Sequence, residues 1–129
     1  MPETRIGLIP DVGGSSRLPQ VVGLGRAKEL VMTGKMITGV EAERIGLVNR
    51  VVPAADLLAE ARKLAAALAR QAPIAVRYIL DAINHGLEMP FVEGCRLEAT
   101  LFGLVAASDD MREGTRSFLE KRKPEFTGK

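Results

Sequence analysis

Only one stretch of this chain, Leu47-Val48-Asn49-Arg50-Val51-Val52, both alternates and is β-branched enough to read as a strand. Nearly everything around it carries helical spacing. A lone strand constrains the fold severely, because its amides and carbonyls need a neighbouring strand to pair with. The pattern therefore predicts a mainly α chain with a little β, one strand pair at most, with partner strands supplied from outside these residues. Pro53 ends the stretch and marks a boundary between residues 1–53 and 54–129.

Ahead of that boundary the elements are short. Residues 5–9 read as an extended piece closed by Pro10. Gly13-Gly14-Ser15-Ser16 is a turn opening a helix, with serines suited to capping, and that helix is expected to stop near Pro19. A second helical pattern over 26–33 is ended by Gly34. A third covers 38–45, where Thr38 and Glu41 have the spacing of a capping box and Gly46 closes the element.

Beyond Pro53 the periodicity is longer. Leu57, Ala61, Leu64 and Leu68 form one apolar stripe, and Val76, Leu80 and Ile83 another, in a helix started by Pro73 and stopped near Asn84-His85-Gly86. From Pro90 a third stripe runs through Leu97, Leu101 and Leu104, with Phe102 beside it. Ser108-Asp109-Asp110 supplies a cap and an acidic first turn for the last helix, which carries Phe118 and ends in Lys121-Arg122-Lys123 before Pro124.

Composition removes several function classes. The net charge of +2 over 129 residues gives no global pull toward nucleic acid or a membrane surface. No apolar run approaches the roughly 18 residues of a membrane span. Cys95 is the single cysteine, so no internal disulfide forms and a reducing compartment is implied. With no secretory leader pattern after Met1, a cytoplasmic location is expected. His85, the only histidine, reads as a helix-end residue, and Cys95 as a structural thiol with no visible base. No phosphate-binding glycine loop or metal cluster is present in the pattern.

Three landmarks carry chemistry: Pro2-Glu3 with Gly7-Leu8-Ile9-Pro10-Asp11-Val12-Gly13-Gly14; Arg44-Ile45-Gly46 through Pro53; and Glu113-Gly114 through Phe118 to Phe126. In this order and spacing the chain resembles the enoyl-CoA hydratase/isomerase (crotonase) superfamily over essentially its whole length. The resemblance is to the C-terminal half: the last active-site segment over 1–53, then a helical oligomerisation and CoA-contacting region over 54–129. It implies a piece of the crotonase-like α/β fold, about half of a complete subunit.

The resemblance also implies an activity, the hydration of 2-enoyl-CoA thioesters by carboxylate acid/base catalysis. Glu3 matches the second of two catalytic glutamates; on position alone it is an exposed acid near the start. Asp11 stands where the best-known hydratases have glycine and where some isomerases carry their base; read locally, it is a turn aspartate beside Gly13-Gly14. Phe102 and Lys121 match positions that hold the adenine and 3′-phosphate end of coenzyme A; read locally, one is a core aromatic and the other a solvated helix end. The family implies no metal or redox cofactor, coenzyme A being part of the acyl-CoA substrate, and a homo-oligomer, a trimer or dimer of trimers. Two alternatives stay open: an isomerase using Asp11, and an inactive helical association module. The first glutamate and the amides that stabilise the thioester oxygen are expected in the other half.

Overall fold

The computed structural model describes all residues, Met1 to Lys129, as two compact units, Met1–Asp56 and Leu57–Lys129. In the first, a 3-10 helix (Glu3–Ile6) precedes α1 (Gly14–Val22), α2 (Leu24–Thr33) and α3 (Gly39–Arg44). In the second, α4 (Leu57–Ala69), α5 (Pro73–Gly86), α6 (Phe91–Ala106) and α7 (Asp109–Leu119) follow a short 3-10 turn at Ala54–Asp56.

No strand forms, which corrects the expectation of a little β and of a strand pair. Residues 47–52 are bend and coil, and three of their backbone donors are spent on α3. The Leu47 and Val48 amides both donate to the Ala42 carbonyl (2.8 and 3.4 Å), and the Val51 amide donates to Glu43 Oε1 (3.1 Å). The alternation of Leu47, Val48 and Val51 satisfies β propensity, but propensity without a partner strand loses to these local bonds.

Two smaller expectations also fail. The stretch 5–9 does not extend throughout: Arg5 and Ile6 belong to a 3-10 turn over 3–6, closed by Gly7 at φ 77°, with the Leu8 amide donating to the Glu3 carbonyl (3.0 Å). The helix opened by the glycine pair runs through Pro19 to Val22. Proline there removes one helical hydrogen bond. The helix persists because Leu18 and Val22, on either side of it, are both buried in the core of the unit with Ala27 and Ile45. Leu30, Val31 and Ile37 pack on that core. The 3-10 turn is tied to α2 by the Thr4 hydroxyl, which donates to the Val31 carbonyl (3.1 Å).

Gly13 and Gly14 answer to different demands. Gly13 sits at φ 84° as the N-cap of α1, in the left-handed region open to glycine. Gly14 is tight in space: a Cβ there would lie 2.9 Å from Pro10 Cβ and 3.3 Å from Met1 Cε. Methionine can move aside, but the proline ring cannot. Gly14→Ala is therefore expected to cost about 1–3 kcal/mol of stability through overpacking, read as a lowered urea midpoint at unchanged slope.

The helices of the second unit form where the apolar stripes lie, and two of the expected side-chain caps are present, whereas α1 has none: Ser15 Oγ donates to the Pro10 carbonyl (3.2 Å) instead of accepting an end amide. Thr38 Oγ1 accepts from the Glu41 amide (3.2 Å) in the first unit, and Ser108 Oγ accepts from the Met111 amide (3.1 Å) in the second. α5 and α6 pack as a hairpin, and α7 follows against α6. The stripes themselves are left open: Leu57, Leu64, Leu68, Leu80, Ile83 and Leu104 are each about half exposed. The buried residues of this unit are Ser108, Asp110 and Ser117, with no buried apolar side chain among them. No helix is long and apolar enough to cross a membrane.

Candidate active site

Glu3 stands at the head of the 3-10 turn, half-buried, with its backbone held by the Leu8 amide. Its carboxylate is unusual: Oε2 is buried and has no hydrogen-bond partner. Leaving such an oxygen unsatisfied costs on the order of 1–3 kcal/mol. An oxygen left in this state calls for an explanation, and a catalytic role is one.

Asp11 is exposed. Its Oδ1 accepts from the Val12 amide (2.7 Å), and its carbonyl accepts from the Gly14 amide (3.1 Å), so it organises the turn that opens α1. Val12 pays for this geometry with φ 54°, a left-handed conformation that a β-branched residue rarely adopts. A surface groove of about 320 Å³ is lined here by Met1, Asp11, Gly13, Arg17, Val21 and Leu47, among others. Glu3 is not part of that lining, and no hydrogen bond joins Glu3 to Asp11. The two acids share a unit without forming a carboxylate pair.

In the second unit, Phe102 lies on α6 and is 70% exposed, so it is not a core aromatic. It borders an apolar groove of about 430 Å³ between α5 and α6, with Tyr78, Ile79, Ile83, Leu101 and Val105. Glu98 is the one charged group on that wall. Lys121 is exposed and follows α7 at φ 54°, its amide donating to the Phe118 carbonyl (3.3 Å). Phe102 and Lys121 share this unit, again with no hydrogen bond between them. Cys95 is exposed, and no cluster of His, Cys, Asp or Glu converges as a metal site requires.

Sequence reasoning passed over the polar lock at the end of the chain. Arg122 forks onto Glu113, with Nη2 to Oε2 at 2.8 Å, and its Nε donates to Glu120 Oε2 (2.6 Å). Glu113 Oε1 also accepts the Glu125 amide (3.0 Å). One turn earlier, Asp110, only 2% exposed, accepts the Thr127 amide (2.7 Å) and the Gly128 amide (2.9 Å). The Lys129 carbonyl in turn accepts the Asp109 amide (2.8 Å) at the start of α7. The spacing of Asp110 and Glu113, three apart on one helix face, was the available signal.

The Arg122 guanidinium, and after it the Glu125 amide, hold the Glu113 carboxyl down to about 2 from the ordinary 4.5. A carboxyl depressed in the folded state stabilises it fully above the ordinary value and loses that contribution as pH falls toward the depressed one. The lock is thus expected to stay closed above pH about 4.5 and to open progressively toward pH about 2. The Glu125 amide resonance would follow this transition, and Glu113→Gln should abolish it.

The family model described as enoyl-CoA hydratase/isomerase matches residues 1–129. The crotonyl-CoA hydratase of Syntrophomonas wolfei is 43% identical over 128 residues, 99% of this chain and 49% of that protein. A probable enoyl-CoA hydratase of Mycobacterium bovis is 43% identical over 126 residues, 98% of this chain and 49% of the relative. The crystal structure of an enoyl-CoA hydratase from Bacillus anthracis matches with a TM-score of 0.96 at 40% identity, covering 99% of this chain and 50% of that one. The chain spans about half the length of these curated relatives.

Proposed function

This chain belongs to the enoyl-CoA hydratase/isomerase family, the crotonase superfamily, and we propose that it supplies the C-terminal half of an enzyme hydrating 2-enoyl-CoA thioesters. The observation that carries this reading is the buried, unpartnered Oε2 of Glu3. Hydration adds the hydroxyl of water to C3 of the enoyl group and a proton to C2. A carboxylate with one buried, unpartnered oxygen is suited to move that proton. The relatives named as crotonyl-CoA and enoyl-CoA hydratases support the substrate class. On this reading the first glutamate of the pair, and the amides that stabilise the enolate-like oxygen, belong to the other half of the active unit.

Phe102 and Lys121 then serve the coenzyme A end of the substrate. The exposed ring on a groove wall offers a face for stacking, and the exposed ammonium offers a charge for phosphate. Asp11 has less claim to a catalytic role, because Oδ1 is already engaged with the Val12 amide. The isomerase alternative rests on that residue and gains nothing from its geometry.

The test is the loss of the conjugated thioester absorbance of crotonyl-CoA. Turnover by the chain that vanishes in Glu3→Gln supports a working site built on Glu3. Turnover unaffected by that substitution overturns the reading. A folded chain that gains no turnover when the other half is supplied favours the association module.

The open apolar stripes of the second unit favour self-association under either reading. Contiguous apolar surface of this kind drives assembly. The chain is expected to sediment as an oligomer at micromolar concentration, and a monomer across a wide concentration range would contradict this.

A further inference from the structure

Lys121 occupies a backbone position that suits glycine. The Lys121 amide donates to the Phe118 carbonyl (3.3 Å) and the Arg122 amide to the Ser117 carbonyl (3.0 Å), the paired bonds of a Schellman helix end. The residue between them must be left-handed, and here it is lysine at φ 54°. Glycine would take this conformation without strain. The backbone does not ask for lysine here, and its exposed side chain leaves the chain just beyond the end of α7.

The strained turn is clamped from its far side. Arg122, the next residue, is fixed by the two-pronged bond to Glu113 and by Glu120, and it donates to the Lys123 carbonyl (3.3 Å). Glu113 also captures the Glu125 amide. One carboxylate thus fastens the chain on the C-terminal side of Lys121 at two points. Such over-determination is what allows a strained residue to persist.

We infer that Glu113 is a positioning residue for ligand binding: by anchoring Arg122 and the 125 amide it holds Lys121 left-handed and so aims its ammonium at a phosphate of the acyl-CoA substrate. This deepens the reading in which Lys121 meets coenzyme A and rests on it. Glu113 touches no ligand itself. Its carboxylate acts through the backbone of its neighbours.

The experiment is calorimetric titration of the full chain with coenzyme A and with dephospho-coenzyme A, which lacks the 3′-phosphate. The unsubstituted protein should prefer coenzyme A by about tenfold, the scale of one charge-assisted contact. Lys121→Ala should erase the preference. Glu113→Gln should reduce it severalfold, and the left-handed signature in the Lys121 Cα chemical shift should disappear with it. Asp110→Asn loosens the 127–128 segment but leaves the Arg122 fork intact, so it should keep the preference. If Glu113→Gln retains the preference while Lys121→Ala loses it, the positioning role is wrong and the ligand reading stands. If Asp110→Asn erases it as fully as Glu113→Gln, general loosening is at work and the positioning role is again wrong. If the unsubstituted chain shows no preference, or Lys121→Ala keeps it, the ligand reading falls and takes the inference with it.

Discussion

Glu3→Gln is expected to slow hydration of crotonyl-CoA by about 10²–10⁴-fold in any active assembly containing this chain, the range for loss of one general acid/base. That corresponds to roughly 3–5 kcal/mol of transition-state stabilisation. The substitution is nearly isosteric, so the 3-10 turn and its Leu8-to-Glu3 backbone bond should survive. What disappears is the capacity of the buried Oε2 to hold and release a proton. The effect should fall on kcat, because the coenzyme A contacts proposed for Phe102 and Lys121 are untouched. A loss confined to KM would mean that Glu3 binds substrate without moving a proton. Asp11→Asn, by contrast, should change the rate little, since Asn retains the oxygen that accepts the Val12 amide.

The second large effect is on stability. Asp110→Ala should destabilise the second unit by about 3 kcal/mol, because the amides of Thr127 and Gly128 both lose the charged acceptor that buried Asp110 supplies, at about 1.5 kcal/mol or more for each such bond. Against a typical total of about 5–15 kcal/mol this is a large fraction. The unit has no buried apolar side chain to absorb the loss. Hydrogen exchange would localise the change: the Thr127 and Gly128 amides should lose protection first. Equal protection in the variant would show that the tail is held by something other than Asp110.

Much of the helical content was legible from spacing alone. The stripes at Leu57–Leu68 and Val76–Ile83, the proline starts at Pro73 and Pro90, and the caps Thr38 and Ser108 are local features, set by neighbours a turn or less away. The family was legible for a related reason, since its landmarks are short ordered strings that need no tertiary knowledge to recognise. The strand was misread because 47–52 has the composition of a strand while its hydrogen bonds go to Ala42 and Glu43. Composition states what a segment tolerates; it does not state which donor finds which acceptor. Pro19 was misread as a stop for the converse reason: two buried side chains outweigh one missing helical bond.

Site chemistry divides along the same line. The family resemblance singled out Glu3, Asp11, Phe102 and Lys121, and residue identity itself set the low net charge. It also determined that Gly13-Gly14 opens a helix. Only the tertiary structure decided that one oxygen of Glu3 is buried without a partner, that Asp11 spends an oxygen on its own turn, and that Phe102 faces outward on a groove. The clamp of Arg122 on Glu113 and the burial of Asp110 under the 127–128 amides belong to the same class. Periodicity and capping are short-range, so they can be read along the chain. Burial and hydrogen-bond pairing between residues 9 to 18 positions apart depend on where the chain returns, which no local pattern records.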